Sequence, residues 1–122
     1  MGYKANLSIE EQRRLFKEFC EAFLSLKNLD EMVEFLIDLL TKKEVITLAK
    51  RLKIAKLLIK GKPYREIQEE VKVSPPTIAK VAAWLEASGK GFKMIAERVR
   101  FEAIIAVKWR TIQALNCYIA IK

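Results

Sequence analysis

The sequence predicts an all-α protein, and three observations predict it. Apolar residues recur at steps of three and four along most of the chain, which gathers side chains on one helix face. Three capping boxes, beginning at Ser8, Asn28 and Thr41, open helices at short intervals. Between Gly61 and Leu85 the pattern breaks once, as it does where two helices meet at a tight turn.

Helix one is expected from Ile9 to Leu26. Ser8 caps it, Glu11 reaches back to the cap, and Leu15, Phe16, Phe19, Ala22, Phe23 and Leu26 make a wide apolar stripe. Asn28 and Glu31 open helix two, which runs toward Leu40 with Met32, Phe35, Leu36, Leu39 and Leu40 on its stripe. Thr41 and Glu44 open helix three. Its core face is expected to carry Val45, Leu48, Ala49, Leu52, Ala55, Leu58 and Ile59, and Gly61 ends it. The stripes of helices one and two are too rich for so short a monomer, so part of that surface is expected to be buried between subunits.

The stretch GKPYREIQEEVKVSPPTIAKVAAWL, Gly61 to Leu85, carries Ile67, Val71, Val73, Ile78, Val81 and Leu85. The step of two at Val71–Val73, around Lys72, marks the passage from one helix to the next. Ser74 is placed to N-cap the second helix, and Pro75 and Pro76 suit a first turn whose N–H groups lack intrahelical partners. This is a helix-turn-helix pattern, although spacing alone fits an ordinary αα-corner equally well. Gln68 stands where a small residue often lets the helices approach, and Lys72 where a turn glycine is usual. Gly89 and Gly91 are expected to end the second helix. A further helix is expected from Phe92 to the C-terminus, with Phe101, Ile105, Trp109, Ile112, Leu115 and Ile119 on one stripe. It is expected to pack on the body or on a second subunit; a membrane-surface helix is the alternative.

The chain has 122 residues, suited to one domain, and its 52% hydrophobic content is enough for a core. Charge sorts the function classes. Residues 1–41 hold 5 basic and 8 acidic side chains, 42–80 hold 11 and 4, and 81–122 hold 7 and 3. The positive excess therefore falls on and just before the helix-turn-helix, where phosphate neutralisation would use it. A solvated lysine face is the competing reading. There is no histidine, no nucleophile–base constellation, no phosphate loop and no metal-ligand spacing, so neither an enzyme nor a metal site is expected. Cys20 and Cys117 are expected to be buried and reduced. No secretory leader and no membrane span are read, so a cytoplasmic protein is expected.

The stretch LLTKKEVITLAKRLKIAKLLIKGKPYREIQEEVKVSPPTIAKVAAWL resembles the Trp-repressor family. The matching features are Leu40-Thr41 before an acidic capping residue, Leu48 and Arg51, and Arg65-Glu66-Ile67 ahead of Ser74, Thr77 and Ile78. The segments Ser25–Asn28 and GKGFKMI, at Gly89–Ile95, are similar to a mostly uncharacterised branch of that family. The resemblance covers about residues 10–100. It implies a six-helix fold, an intertwined homodimer, and DNA binding at a two-fold operator with one recognition helix per half-site, ~34 Å apart. It divides the chain into a helix-turn-helix domain over 1–100, with the motif itself at 64–85, and a helical extension over 101–122.

In tryptophan-sensing members, one Arg on helix three and another on the recognition helix sandwich the indole, and a small hydroxyl residue one turn later lines the pocket. Arg51 keeps the first place, Lys80 takes the second, and Trp84 takes the small residue's place; with Thr41 these four are the candidate ligand pocket. Lys80 offers no flat guanidinium, so a tryptophan corepressor is not expected, no cofactor is assigned, and another effector stays open.

Facing outward on the recognition helix are Pro75, Pro76, Thr77, Ala79, Lys80 and Ala83, with Ser74 at its start. The small apolar members suit thymine methyl groups, and Lys80 suits guanine O6 or N7. Lys60, Lys62, Tyr64 and Arg65 are the phosphate candidates, unless Arg65 pairs with Glu69 instead. The function expected is a dimeric, sequence-specific transcriptional repressor. The alternatives are a DNA-binding module of a replication or transposition protein, and a protein-interaction module with no nucleic-acid role.

Overall fold

The computed structural model describes residues 6–98, which hold six α-helices. The expected extension at 101–122, with Trp109 and Cys117, lies outside them. The chain divides into two compact units, Met1–Leu39 and Leu40–Lys122.

In the first unit, α1 (Ile9–Leu24) and α2 (Leu29–Leu39) form a helical pair. Ser8 and Glu11 close the predicted box: the Glu11 N–H donates to Ser8 Oγ at 3.2 Å and the Ser8 N–H to Glu11 Oε2 at 3.1 Å. α1 stops two residues short of Leu26, because Ser25 Oγ donates to the Ala22 carbonyl at 2.7 Å and closes the last turn. The Asn28 box is modified. Asn28 Oδ1 accepts from the Glu31 N–H, but the Glu31 carboxylate accepts from Lys27 N–H, one residue before the cap. Phe23 meets Phe19 and Phe35 edge-on, with ring centres 4.9 and 5.3 Å apart. No residue of α1 or α2 is buried, and Phe16 stays 65% exposed. Cys20 is also exposed, against expectation, since it lies on α1, which has no buried face in the single chain.

The second unit holds α3 (Lys42–Ile59), α4 (Tyr64–Val71), α5 (Pro75–Ala87) and α6 (Lys90–Arg98). Its core is Ile54, Ala55, Leu57, Ile67, Val71, Ile78 and Val81, with Leu58, Val73, Leu85 and Phe92 packed on it. Thr41 and Glu44 cap α3 reciprocally, at 2.9 and 3.2 Å. Gly61, at φ 79, ends the helix: its N–H donates to Leu58 O and that of Lys62 to Leu57 O. That pair of bonds is a Schellman motif.

The buried face of α3 differs from the one the sequence suggests. Of the expected stripe only Ala55 is buried, while Leu48 and Ile59 stay 44% and 39% exposed. At 100° per residue, Val45, Leu48, Leu52 and Ile59 lie roughly opposite Ile54, Leu57 and Leu58. α3 is apolar on two sides; one side meets α4 and α5, while Leu52 on the other borders α6 residues Phe92, Met94 and Ile95. Gly89, at φ 64, ends α5, and a Cβ there would stand 2.9 Å from Leu85 O. Gly91 ends nothing: it falls inside α6, which begins at Lys90 rather than Phe92.

Candidate nucleic-acid interface

α4 and α5 are the two helices of the motif, and α3 braces them. The chain leaves α4 through Lys72, which adopts a left-handed backbone at φ 60, ψ 55 and donates its N–H to Gln68 O. Lysine therefore occupies the place glycine usually takes in such a turn. Lys50 Nζ, from α3, donates to the Lys72 carbonyl at 3.3 Å, and Lys53 pairs with Glu70 at 3.5 Å. Both contacts tie the motif's first helix and its turn to α3.

Ser74 has the extended backbone of an N-cap, φ −81 and ψ 155, but its side chain makes no capping hydrogen bond. Pro75 and Pro76 occupy the first two helical positions and remove N–H groups there. Ser74 Oγ instead lies 3.1 Å from Thr77 Oγ1, and the two hydroxyls satisfy each other.

Ile78 and Val81 bury one side of α5. The opposite side, by helical geometry, carries Pro76, Ala79, Lys80 and Ala83, all exposed. Pro75 and Thr77 flank that face and are exposed too. Lys80 is the one cation of α5 and stands among apolar groups.

The phosphate candidates gather at the entry to α4. Lys60 and Lys62 are exposed and Tyr64 is 41% exposed. Lys62 lies 3.8 Å from Glu66, and Arg65 lies 3.9 Å from Glu69. The Arg65 side chain is 91% exposed, so that pair holds it only loosely and leaves it free to exchange a carboxylate for a phosphate.

Between α3 and α5 lies a cavity of about 390 Å³, lined by Thr47, Lys50, Arg51, Ile54, Val73, Thr77, Lys80, Val81 and Trp84. Three of the four predicted pocket residues meet there. The fourth, Thr41, does not line it; its hydroxyl accepts the Glu44 N–H at the start of α3. The Arg51 guanidinium carbon sits 4.9 Å from the Trp84 ring centre. Sequence reasoning does not place Thr47, Lys50 or Ile54 in the pocket, although Thr47 and Ile54 stand four before and three after Arg51, the spacing that shares a helix face. Lys50, Arg51 and Lys80 make the lining cationic, and no carboxylate lines it. Among the described residues no group of acidic or cysteine side chains is arranged to hold a metal, and no helix is long and apolar enough to cross a membrane.

The sequence and the helical fold have counterparts among known proteins. The model of the family described as Trp repressor protein matches residues 14–100. The chain is 37% identical over 79 residues to the uncharacterized protein YerC of Bacillus subtilis (strain 168), across 65% of this chain and 76% of that protein. It superposes with a TM-score of 0.70 on the crystal structure of a candidate Trp repressor from Staphylococcus aureus. That match is 33% identical and covers 80% of this chain and 98% of the other.

Proposed function

The chain belongs to the Trp repressor family, a family of DNA-binding helix-turn-helix regulators, and from that premise we propose a sequence-specific transcriptional repressor. It acts in the cytoplasm as a homodimer on a two-fold operator. The observation that carries this reading is the outward face of α5: an exposed row with one cation, opposite the buried Ile78 and Val81, beside the cationic entry to α4.

In the proposed mechanism, Lys60, Lys62, Tyr64 and Arg65 hold the phosphate backbone and set the register. Lys80 donates to guanine in the major groove, while Pro75, Pro76, Thr77, Ala79 and Ala83 touch thymine methyl groups. Ser74 orients Thr77 through its hydroxyl. No Asn, Gln or Arg stands on this face for bidentate base reading, so phosphates supply much of the affinity.

Dimerisation is supported by α1 and α2, which leave their apolar stripes unburied in the single chain. It would set the recognition helices ~34 Å apart, one turn of DNA.

Selection of bound sequences from random duplex DNA tests the reading. The expected product is a palindromic site bound in a salt-dependent manner. Failure to bind any duplex at low salt would overturn it, and running the selection with a small-molecule panel would identify an effector.

A further inference from the structure

Two contacts hold the start of the recognition helix, and a different one holds its end. The start is fixed by the turn at Lys72 and by Ile78 and Val81, which are 0% and 2% exposed. The cavity between α3 and α5 runs beside Thr77, Lys80 and Trp84, and Leu85, beyond it, packs on the core but is only partly buried. A helix anchored by its first two turns beside such a space has room to pivot. Arg51 reaches across it from α3, and its guanidinium carbon lies over the Trp84 ring, 4.9 Å from the centre.

Trp84 remains 42% exposed, so burial alone does not account for its placement. The guanidinium supplies the missing attraction, through the negative face of the indole. Lys80 stands one turn before Trp84, so any rotation of α5 carries Lys80 with it.

We propose that Arg51 and Trp84 are positioning residues: their stacking sets the angle of α5 against α3, and so aims Lys80 without touching DNA. The pair acts as a clasp built into the chain, and no ligand is needed to close it. This rests on the DNA-binding reading above.

The test is a double-substitution cycle in the full-length chain, measured as affinity for the selected operator. Arg51→Ala and Trp84→Leu should each weaken binding about two- to fivefold for every recognition helix engaged, the range of a partly exposed cation–π contact. The two together should weaken it no more than either alone. Arg51→Lys should fall between wild type and Arg51→Ala, because an ammonium keeps the attraction to the ring face but does not stack as a planar fork does, whereas Trp84→Phe should retain most of the affinity. Thermal melts identify any variant that fails to fold, and Trp84→Met, which also lacks an aromatic face, then serves in place of Trp84→Leu. The salt slope should not change in Arg51→Ala; a slope shallower by about one unit would make Arg51 a phosphate contact and overturn the proposal. Additive losses would overturn it as well. In a Trp109→Phe background, where Trp84 is the sole indole, Arg51→Ala should alter the near-ultraviolet circular dichroism. If the chain binds no duplex, the functional reading falls on that result, and an unchanged indole spectrum separately removes the clasp.

Discussion

Lys72 holds a left-handed backbone, φ 60 and ψ 55, at the turn that separates α4 from α5. For an L-residue that conformation costs roughly 1–2 kcal/mol, because Cβ crowds the following carbonyl. Glycine removes the cost but gives back roughly 0.5–1 kcal/mol of unfolded-chain entropy. The contacts that matter at this position are backbone ones. The Lys72 N–H reaches Gln68 O at 3.0 Å, and its carbonyl accepts Lys50 Nζ at 3.3 Å, so both survive the exchange. Lys72→Gly should therefore stabilise the protein by about 0.5–1 kcal/mol and raise Tm by about 2–8 °C. Thermal and urea denaturation at fixed protein concentration measure this. Lys72→Ala is the control: it keeps the Cβ and should show none of the gain. If the glycine and alanine variants shift together, or if glycine destabilises, the strain argument is wrong.

Lys80→Ala should weaken binding to the selected operator by ~1–3 kcal/mol with an unchanged melting curve, and unaltered operator affinity in a mobility shift would remove the base contact. Arg65→Ala should weaken all duplexes alike and make the salt slope shallower by about one unit; a loss confined to one sequence would contradict a phosphate role. Phe16→Asp combined with Phe19→Asp, on the unburied stripe of α1, should raise the dimer dissociation constant by at least about a hundredfold in sedimentation, since each ring contributes ~1.5 kcal/mol or more if buried. The Glu44 carboxyl is held below its ordinary value by the Thr41 backbone N–H and, second, by the Thr41 hydroxyl. A depressed carboxylate contributes stability above its unfolded value and loses it as pH falls through the folded one. Glu44→Gln should thus remove part of the acid sensitivity seen in urea melts as pH falls below the ordinary carboxyl value of 4.5. A variant as acid-sensitive as the wild type would refute that coupling.

Local chemistry was the legible part of this sequence. The boxes at Ser8 and Thr41 and the stop at Gly61 each depend on residues within four or five positions, and all three formed. Sequence reasoning failed where a side chain had a choice of partner. Ser74 has the backbone of a cap, yet two prolines remove nearby donors and its hydroxyl turns to Thr77. Thr41 was assigned to the pocket by resemblance, while its hydroxyl is committed to Glu44. The face of α3 was misread for a different reason. Both sides of that helix are apolar, and periodicity cannot say which side meets which neighbour.

The burial pattern links these readings. Among the described residues, the seven buried ones fall between Ile54 and Val81, around the helix-turn-helix. Ile54 and Leu57 on α3, Ile67 and Val71 on α4, and Ile78 and Val81 on α5 hold the motif in one geometry. The first unit has the opposite character, with regular helices but no buried side chain in α1 or α2. A helix-turn-helix with its own core can keep its shape while α1 and α2 do different work. On the proposed reading, the shape of each half-site contact would rest on residues 54–81, and the spacing between half-sites on the apolar stripes of α1 and α2. Substitutions in the first group should alter affinity for a single half-site, whereas those in the second should leave it intact and abolish the preference for two half-sites one turn apart. Binding assays on isolated half-sites, set against the full palindrome, separate the two; a stripe substitution that weakened both equally would defeat this division of labour.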